Sequence, residues 1–322
     1  MHIAGSPTAR SQRWLLASLA AFFLILSIPY AKKIAETNLD DARSAVMRWQ
    51  NQILALSDDI DIWEKYVYPN PPIMVLLLLP LMHLPPVAAC LVWFLLKSAM
   101  AILAIHWVFR MAESSGRPFP LVAKLFAILL ALRPLVGDLT HGNINLFILF
   151  LVVAGLYAYY RQSDITAGIL LALAIACKVT PALFVPYFIW KRAWWTLAGC
   201  LIGLILFFWI IPGLFFGPSA NAAYLNSWVN KMIVPYVLEG TVTSEHNNQS
   251  LPGLVYRLAS HAPSFSDDHD GYVPREYHNI AEVDTRILSW SLKGCMGLFV
   301  LLVAWSCRTP TQPRAGWPLL AE

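Results

Sequence analysis

Apolar residues along the 322-residue chain fall into long runs with little alternation, and the polar residues collect between those runs. A helix needs about 20 predominantly apolar residues to cross a bilayer. On that measure the chain shows six spans, near 14–31, 88–109, 118–137, 143–160, 193–215 and 287–307. Two further stretches do not fit. Residues 72–84 are apolar but short and close on Pro85-Pro86, which predicts a short helix that goes partway in or lies at the interface. Residues 163–190 would reach about 42 Å as one helix at 1.5 Å per residue, too long for one crossing and too short for two. Lys178, Pro181 and Pro186 interrupt that stretch. The pattern predicts two short helices meeting at a break near Lys178-Val179-Thr180-Pro181, where protein or water must satisfy the freed backbone groups. The expected fold is therefore all-α and polytopic, a single transmembrane domain over residues 1–322.

Composition agrees. The hydrophobic set makes up 58% of the chain and charged residues 13%, against roughly 45–50% and about 25% in a soluble domain, so a soluble enzyme is excluded. The formal charge of +4 does not point to nucleic acid, because the basic residues are scattered at the ends of apolar runs and form no patch. Arg10, Arg13, Arg110, Arg117, Arg161, Lys191, Arg192, Arg308 and Arg314 mark one side as cytoplasmic by the positive-inside tendency, and both termini fall there. Loop 32–71 carries five Lys/Arg against seven Asp/Glu, and loop 217–286 four against eight, so both lie on the outer face of what reads as a prokaryotic-type plasma membrane. The turn 137–143 lands on the same face. The first run has a basic lead without a small-residue cleavage site, the mark of a retained helix rather than a signal peptide. All five cysteines sit in or at the end of apolar runs, which argues against disulfides and CxxC metal sites.

Candidate chemistry gathers on the outer face. Asp40 and Asp41, just beyond the first helix, either solvate the loop or place a carboxylate where it takes a proton from an attacking hydroxyl. Trp63, Tyr66 and Tyr68 suit an interfacial aromatic belt, and the prolines after Tyr68 fix the chain's path into the short helix. Arg133 lies inside an apolar run about one turn below the surface. It either snorkels or grips a lipid phosphate with its planar fork. Lys178 poses a similar choice, between an anionic ligand and an ion pair with an acid such as Asp138. Lys293 reads as a snorkelling anchor. In His141-Gly142-Asn143-Ile144-Asn145, Gly142 permits a tight turn and Asn143 is a plausible N-cap. His246, Asn248 and Gln249 belong to a dense run of hydrogen-bonding side chains in the second outer loop, of the kind sugar hydroxyls require.

Several spaced pieces carry a resemblance. They are Tyr68-Pro69-x-Pro71-Pro72 with the Leu-rich helix after it, Gly142-Asn143-Ile144-Asn145-Leu146, the stretch from Ala167-Gly168 to Lys178-Val179-Thr180-Pro181, and Asn248-Gln249-Ser250-Leu251 with Arg257. In that order, over residues 37–260, the chain resembles glycosyltransferase family 87, membrane enzymes of the GT-C fold that use a polyprenyl-phosphate sugar, typically mannose. The resemblance implies an inverting transfer to a lipid or glycan hydroxyl. Asp40 or Asp41 would be the base and His246 would assist. Arg133, Lys178, His141, Asn143, Asn145, Asn248, Gln249 and Tyr68 would bind substrate, with no metal and no cofactor beyond the donor. The partners implied are membrane lipids, the donor and a glycolipid or glycan acceptor. Gly142-Asn143-Ile144-Asn145 departs from the usual Gly-Gln-x-Asn. Family members generally continue for several more spans, so the chain resembles a reduced form or a fragment that binds without turnover. A transporter or flippase of a lipid-linked sugar is the rival from another class, since broken helices and intramembrane cations also line transport pathways.

Overall fold

The protein is described by a computed structural model for residues 7–36, 44–113, 119–246, 248–266 and 275–306, with side chains described at all of these except 7–11, 265, 266 and 275. The described residues are mostly helical, with one two-residue strand pairing among them, and the chain divides into two compact units, the second beginning at Met232.

In the first unit, α1 (Pro7–Ala35) is followed by the short helices α2 (Ala45–Leu54), α3 (Ile62–Tyr66) and α4 (Pro72–Met82). The long helix α5 (Pro86–Ala112) comes next, then α6 (Leu121–His141) and α7 (Asn145–Tyr160). The stretch with the expected break is α8 (Asp164–Cys177), an extended Lys178, a 3-10 turn over Thr180–Leu183 and α9 (Phe184–Trp190). It does break at Lys178, because Pro181 cannot donate the bond that a continuous helix would need there. Trp194–Phe216 is one apolar rod, built of α10 (Trp194–Ile205), a π-helical stretch over Leu206–Ile210 and α11 (Ile211–Phe216). The Asn221 amide of α12 (Pro218–Trp228) donates to the Phe208 carbonyl inside the π stretch. A backbone group loosened by the wider turn thus finds a partner.

Small residues set the closest packing. A Cβ on Gly168 would lie 2.0 Å from the Thr196 carbonyl oxygen, and one on Gly199 would lie 2.4 Å from that of Ile165. Backbone contact between α8 and α10 is the small-residue packing used where lipid supplies no hydrophobic drive.

Among the described residues four helices are long and apolar enough to cross a membrane: Gln12–Ala35, Pro86–Ala112, Trp194–Phe216 and Thr285–Ser306. The other two expected spans differ in instructive ways. Helix α6 has the length but carries Lys124, Arg133 and Asp138, while α7 has only 16 residues, about 24 Å at 1.5 Å each. The helix at 72–82 is short, as its length predicts.

The second unit holds the end of a π-helical stretch (Val229–Leu238), a polar loop, α13 (Leu251–Ala259), the antiparallel pair Phe265–Ser266 and Arg275–Glu276, and α14 (Thr285–Ser306).

Candidate functional site

Several of the first unit's polar residues gather around α2. Its residues Ala45, Val46, Met47, Trp49, Gln50 and Ile53 are buried while Arg48 and Asn51 face out, so this amphipathic helix lies flat on the unit. The Gln50 amide donates to the carbonyls of Met82 and Leu84, tying α2 to the end of α4. At its other end Ser44 and Val46 meet the turn between α6 and α7. A Cβ on Gly142 would lie 2.9 Å from Ser44 Oγ and 3.2 Å from Val46 Cγ2, and Gly142 has φ +71°. Both the space and the left-handed backbone require glycine.

That turn is pinned from below by Lys97 of α5, which is 0% exposed. Its ammonium donates to Asp138 Oδ2 at 3.1 Å, to the Asp138 carbonyl at 2.6 Å and to the Asn143 carbonyl at 2.8 Å. These use all three of its N–H groups. Asp138 Oδ2 also accepts from the Leu146 amide at 3.2 Å, capping the first turn of α7. The Trp93 indole donates to the Gly142 carbonyl at 3.0 Å. Ile144, not Asn143, is the N-cap residue, and no side chain caps from that position. Asn143 therefore contributes its carbonyl, and Asp138 does the capping expected of Asn143.

Lys178 is a second cation with a different role. Its Nζ donates to Asn145 Oδ1 at 2.6 Å, which leaves two N–H groups beside the N-terminus of α7. A lysine and an amide side chain thus stand together at the start of the 16-residue α7, where Asp138 already takes the Leu146 amide. Of the two readings of Lys178, the ion pair with Asp138 is not formed among the described residues; Lys97 reaches that carboxylate from within the core.

Tyr68 forms the floor under α2. It is fully buried, edge-on to both Trp49 and Trp63, so Tyr68 and Trp63 are core residues rather than the interfacial belt expected of them. The indoles of Trp63 and Trp228 donate to the carbonyls of Asn70 and Pro69, clamping the segment that leads into α4. Burial pushes the Tyr68 phenol above its ordinary range, and the nearby Cys177 thiol, next to Lys178, adds to the effect. Asp61 caps α3 by accepting from the amides of Trp63 and Glu64, and its other oxygen accepts from Ser227 Oγ at 2.7 Å. With Asp59 it opposes ionisation of Tyr224, whose phenol is raised chiefly by burial.

An apolar groove of about 190 Å³ runs between α5, α6 and α7, lined by residues such as Ala104, Val108, Ile128, Leu135, Leu146 and Val153. Leu146 belongs to both regions, with its side chain on the groove and its amide on Asp138.

The remaining predicted residues are distributed differently. Asp40 and Asp41 lie outside the described residues; Ser44, three positions after Asp41, is the first described residue beyond them. Arg133 is exposed on α6 and makes no hydrogen bond or ion pair among the described residues. It stands five residues, about 140° around the helix, from Asp138, so the two side chains address different faces. The His141 ring nitrogen Nδ1 lies 2.7 Å from the Gly137 carbonyl oxygen. In the second unit, Asn248 is largely committed to its own loop. It donates to the carbonyl and hydroxyl of Thr243, accepts from the Ser250 amide, and gives its carbonyl to Arg257. Gln249 donates to the His246 carbonyl, and His246 is exposed. Among the described residues no three His, Cys, Asp or Glu side chains gather as a metal ion would require.

Lys97 escaped the sequence reading, although the signal was present: a lysine inside the 88–109 run, matched by Asp138 at the end of the next long helix. Charges of both signs in successive apolar runs mark both residues as buried or functional, without showing which cation meets which acid.

No curated protein and no solved structure matches the chain. The model of glycosyltransferase family 87 matches residues 66–321. The match begins after Asp40 and Asp41 and takes in Tyr68, Lys97, Asp138, Asn145, Lys178 and the 246–249 loop. With about four-fifths of its length aligned to that family, the chain belongs to glycosyltransferase family 87.

Proposed function

We propose that the protein transfers a hexose, mannose by the family resemblance, from a polyprenyl-phosphate donor to a hydroxyl of a lipid or glycan acceptor at the outer face of the plasma membrane, on a GT-C-type scaffold with both termini cytoplasmic. The family makes it a membrane glycosyltransferase. The observation that carries the finer reading is the juxtaposition of a part-exposed Lys178, held by Asn145 at the start of α7, with an all-apolar groove that shares Leu146 with that helix start. A phosphate on a long prenyl chain has those two chemistries in that order.

In the proposed step the acceptor oxygen attacks the anomeric carbon and the bond from that carbon to the phosphate oxygen breaks. The sugar inverts, and polyprenyl phosphate leaves with an added negative charge. Lys178 stabilises that charge where it develops. Asp40 or Asp41 takes the acceptor proton, and His246, Asn248, Gln249, Asn143, His141, Tyr68 and Arg133 remain candidates for contacts to sugar, acceptor or lipid. A monophosphate leaving group is served by cationic side chains, so the proposed step runs without a metal.

The test is direct. Purified full-length protein in lipid, given radiolabelled polyprenyl-phosphate mannose and membrane extract, should yield a labelled product. Asp40→Asn or Asp41→Asn should abolish that product while donor binding persists. Donor movement across the bilayer without any labelled product would favour the transporter reading instead.

A further inference from the structure

A charged cavity lies at the ends of α5 and α7 remote from the Lys178 site. Its volume is about 220 Å³ and it is lined by Arg110, Glu113, Tyr157, Tyr160 and Arg161. Arg110 stands in the last turn of α5 and Arg161 directly follows α7, so two different helices bring the guanidinium groups to one space. Neither guanidinium has a hydrogen-bond or ion-pair partner among the described residues. The one carboxylate in the lining does not neutralise them, because Glu113 is bound by the buried Lys124 ammonium of α6. The wall is stiff and aromatic: Tyr157 stacks on Trp107 with ring centroids 5.3 Å apart and lies beside Tyr160. Tyrosine and tryptophan at a helix end mark the headgroup level of a bilayer, and Arg is suited to phosphate through its planar fork. A cavity of this volume holds several waters, enough room for a phosphate that would displace them.

We infer that the Arg110–Arg161 cavity binds a phosphate group, most directly that of an anionic lipid in the leaflet opposite the proposed donor site. Two unneutralised guanidiniums facing one cavity repel each other, and an anion between them removes that cost. Hydroxyls from Tyr157 and Tyr160 supply further donors. The inference does not depend on the transfer chemistry, since none of these residues belongs to the Lys178 site.

The experiment uses the full-length protein in nanodiscs of phosphatidylcholine alone or with phosphatidylglycerol, and native mass spectrometry counts the lipids retained after release. The wild type should keep one phosphatidylglycerol per chain. Arg110→Gln and Arg161→Gln should each weaken retention roughly tenfold or more, as expected for losing a charge-assisted hydrogen bond. Lys191→Gln, which removes a charge outside the cavity, should leave retention unchanged. Arg110→Lys, which keeps the charge and loses the fork, should fall between, and size-exclusion profiles confirm that each variant is folded. A parallel titration of inorganic phosphate in phosphatidylcholine discs separates the sources. Saturable binding that both Gln variants lose, without phosphatidylglycerol retention, assigns the site to a soluble phosphate. Retention and phosphate binding equal to wild type in the double Gln variant, or an equal loss in Lys191→Gln, overturns the inference.

Discussion

Replacing Lys97 with methionine removes the pin of the α6–α7 turn while nearly keeping its volume. The ammonium is completely buried and satisfies three oxygens, two of them backbone carbonyls. Its loss strands the Asp138 carboxylate, of which 12% is exposed and whose Oδ1 already has no hydrogen-bond partner. Removing one member of a buried ion pair costs about 3–5 kcal/mol. At roughly 2–4 °C per kcal/mol for a sizeable domain, the Tm of Lys97→Met should drop by about 10 °C. Thermal unfolding in one detergent at one scan rate measures it. Asp138→Asn alone should also destabilise, and the neutral double variant Lys97→Met/Asp138→Asn should lose less than the sum of the two, since the partners are in contact. A Tm shift under about 2 °C for Lys97→Met, or strictly additive losses, would refute the pairing as the support of this turn.

Lys178→Met should leave Tm nearly unchanged and weaken donor binding roughly tenfold to a hundredfold, the worth of one or two charged hydrogen bonds; equilibrium binding of a labelled polyprenyl phosphate checks it. Gly142→Ala should cost about 1–2 kcal/mol for the left-handed backbone alone. Contact with Ser44 Oγ adds to that, so Tm and transfer should fall together. Asp61→Ala removes the cap of α3 and the bond from Ser227, for a loss of about 1–2 kcal/mol in thermal unfolding.

The long apolar runs and the break at Lys178 were legible because bilayer length and proline chemistry act locally. So was the turn at Gly142, where a small residue between polar neighbours announces a left-handed backbone. The pairing of Lys97 with Asp138 was not, since it joins residues 41 positions apart and sequence spacing does not show which internal cation faces which acid. Local chemistry favours Asn143 as the cap, yet Asp138 reaches the same helix start from the preceding helix and takes the Leu146 amide. Tyr68 looked interfacial by residue type. It is buried because the amphipathic α2, too short to stand out among the long apolar runs, lies across it.

The most direct measurement is a cryo-electron-microscopy structure of the full-length protein with polyprenyl-phosphate mannose bound. The expected result is a phosphate oxygen within about 3 Å of Lys178 Nζ at the start of α7, with the prenyl chain following the groove past Leu146. A phosphate bound away from Lys178 and Asn145, with that groove filled by ordinary lipid, would contradict the proposed site.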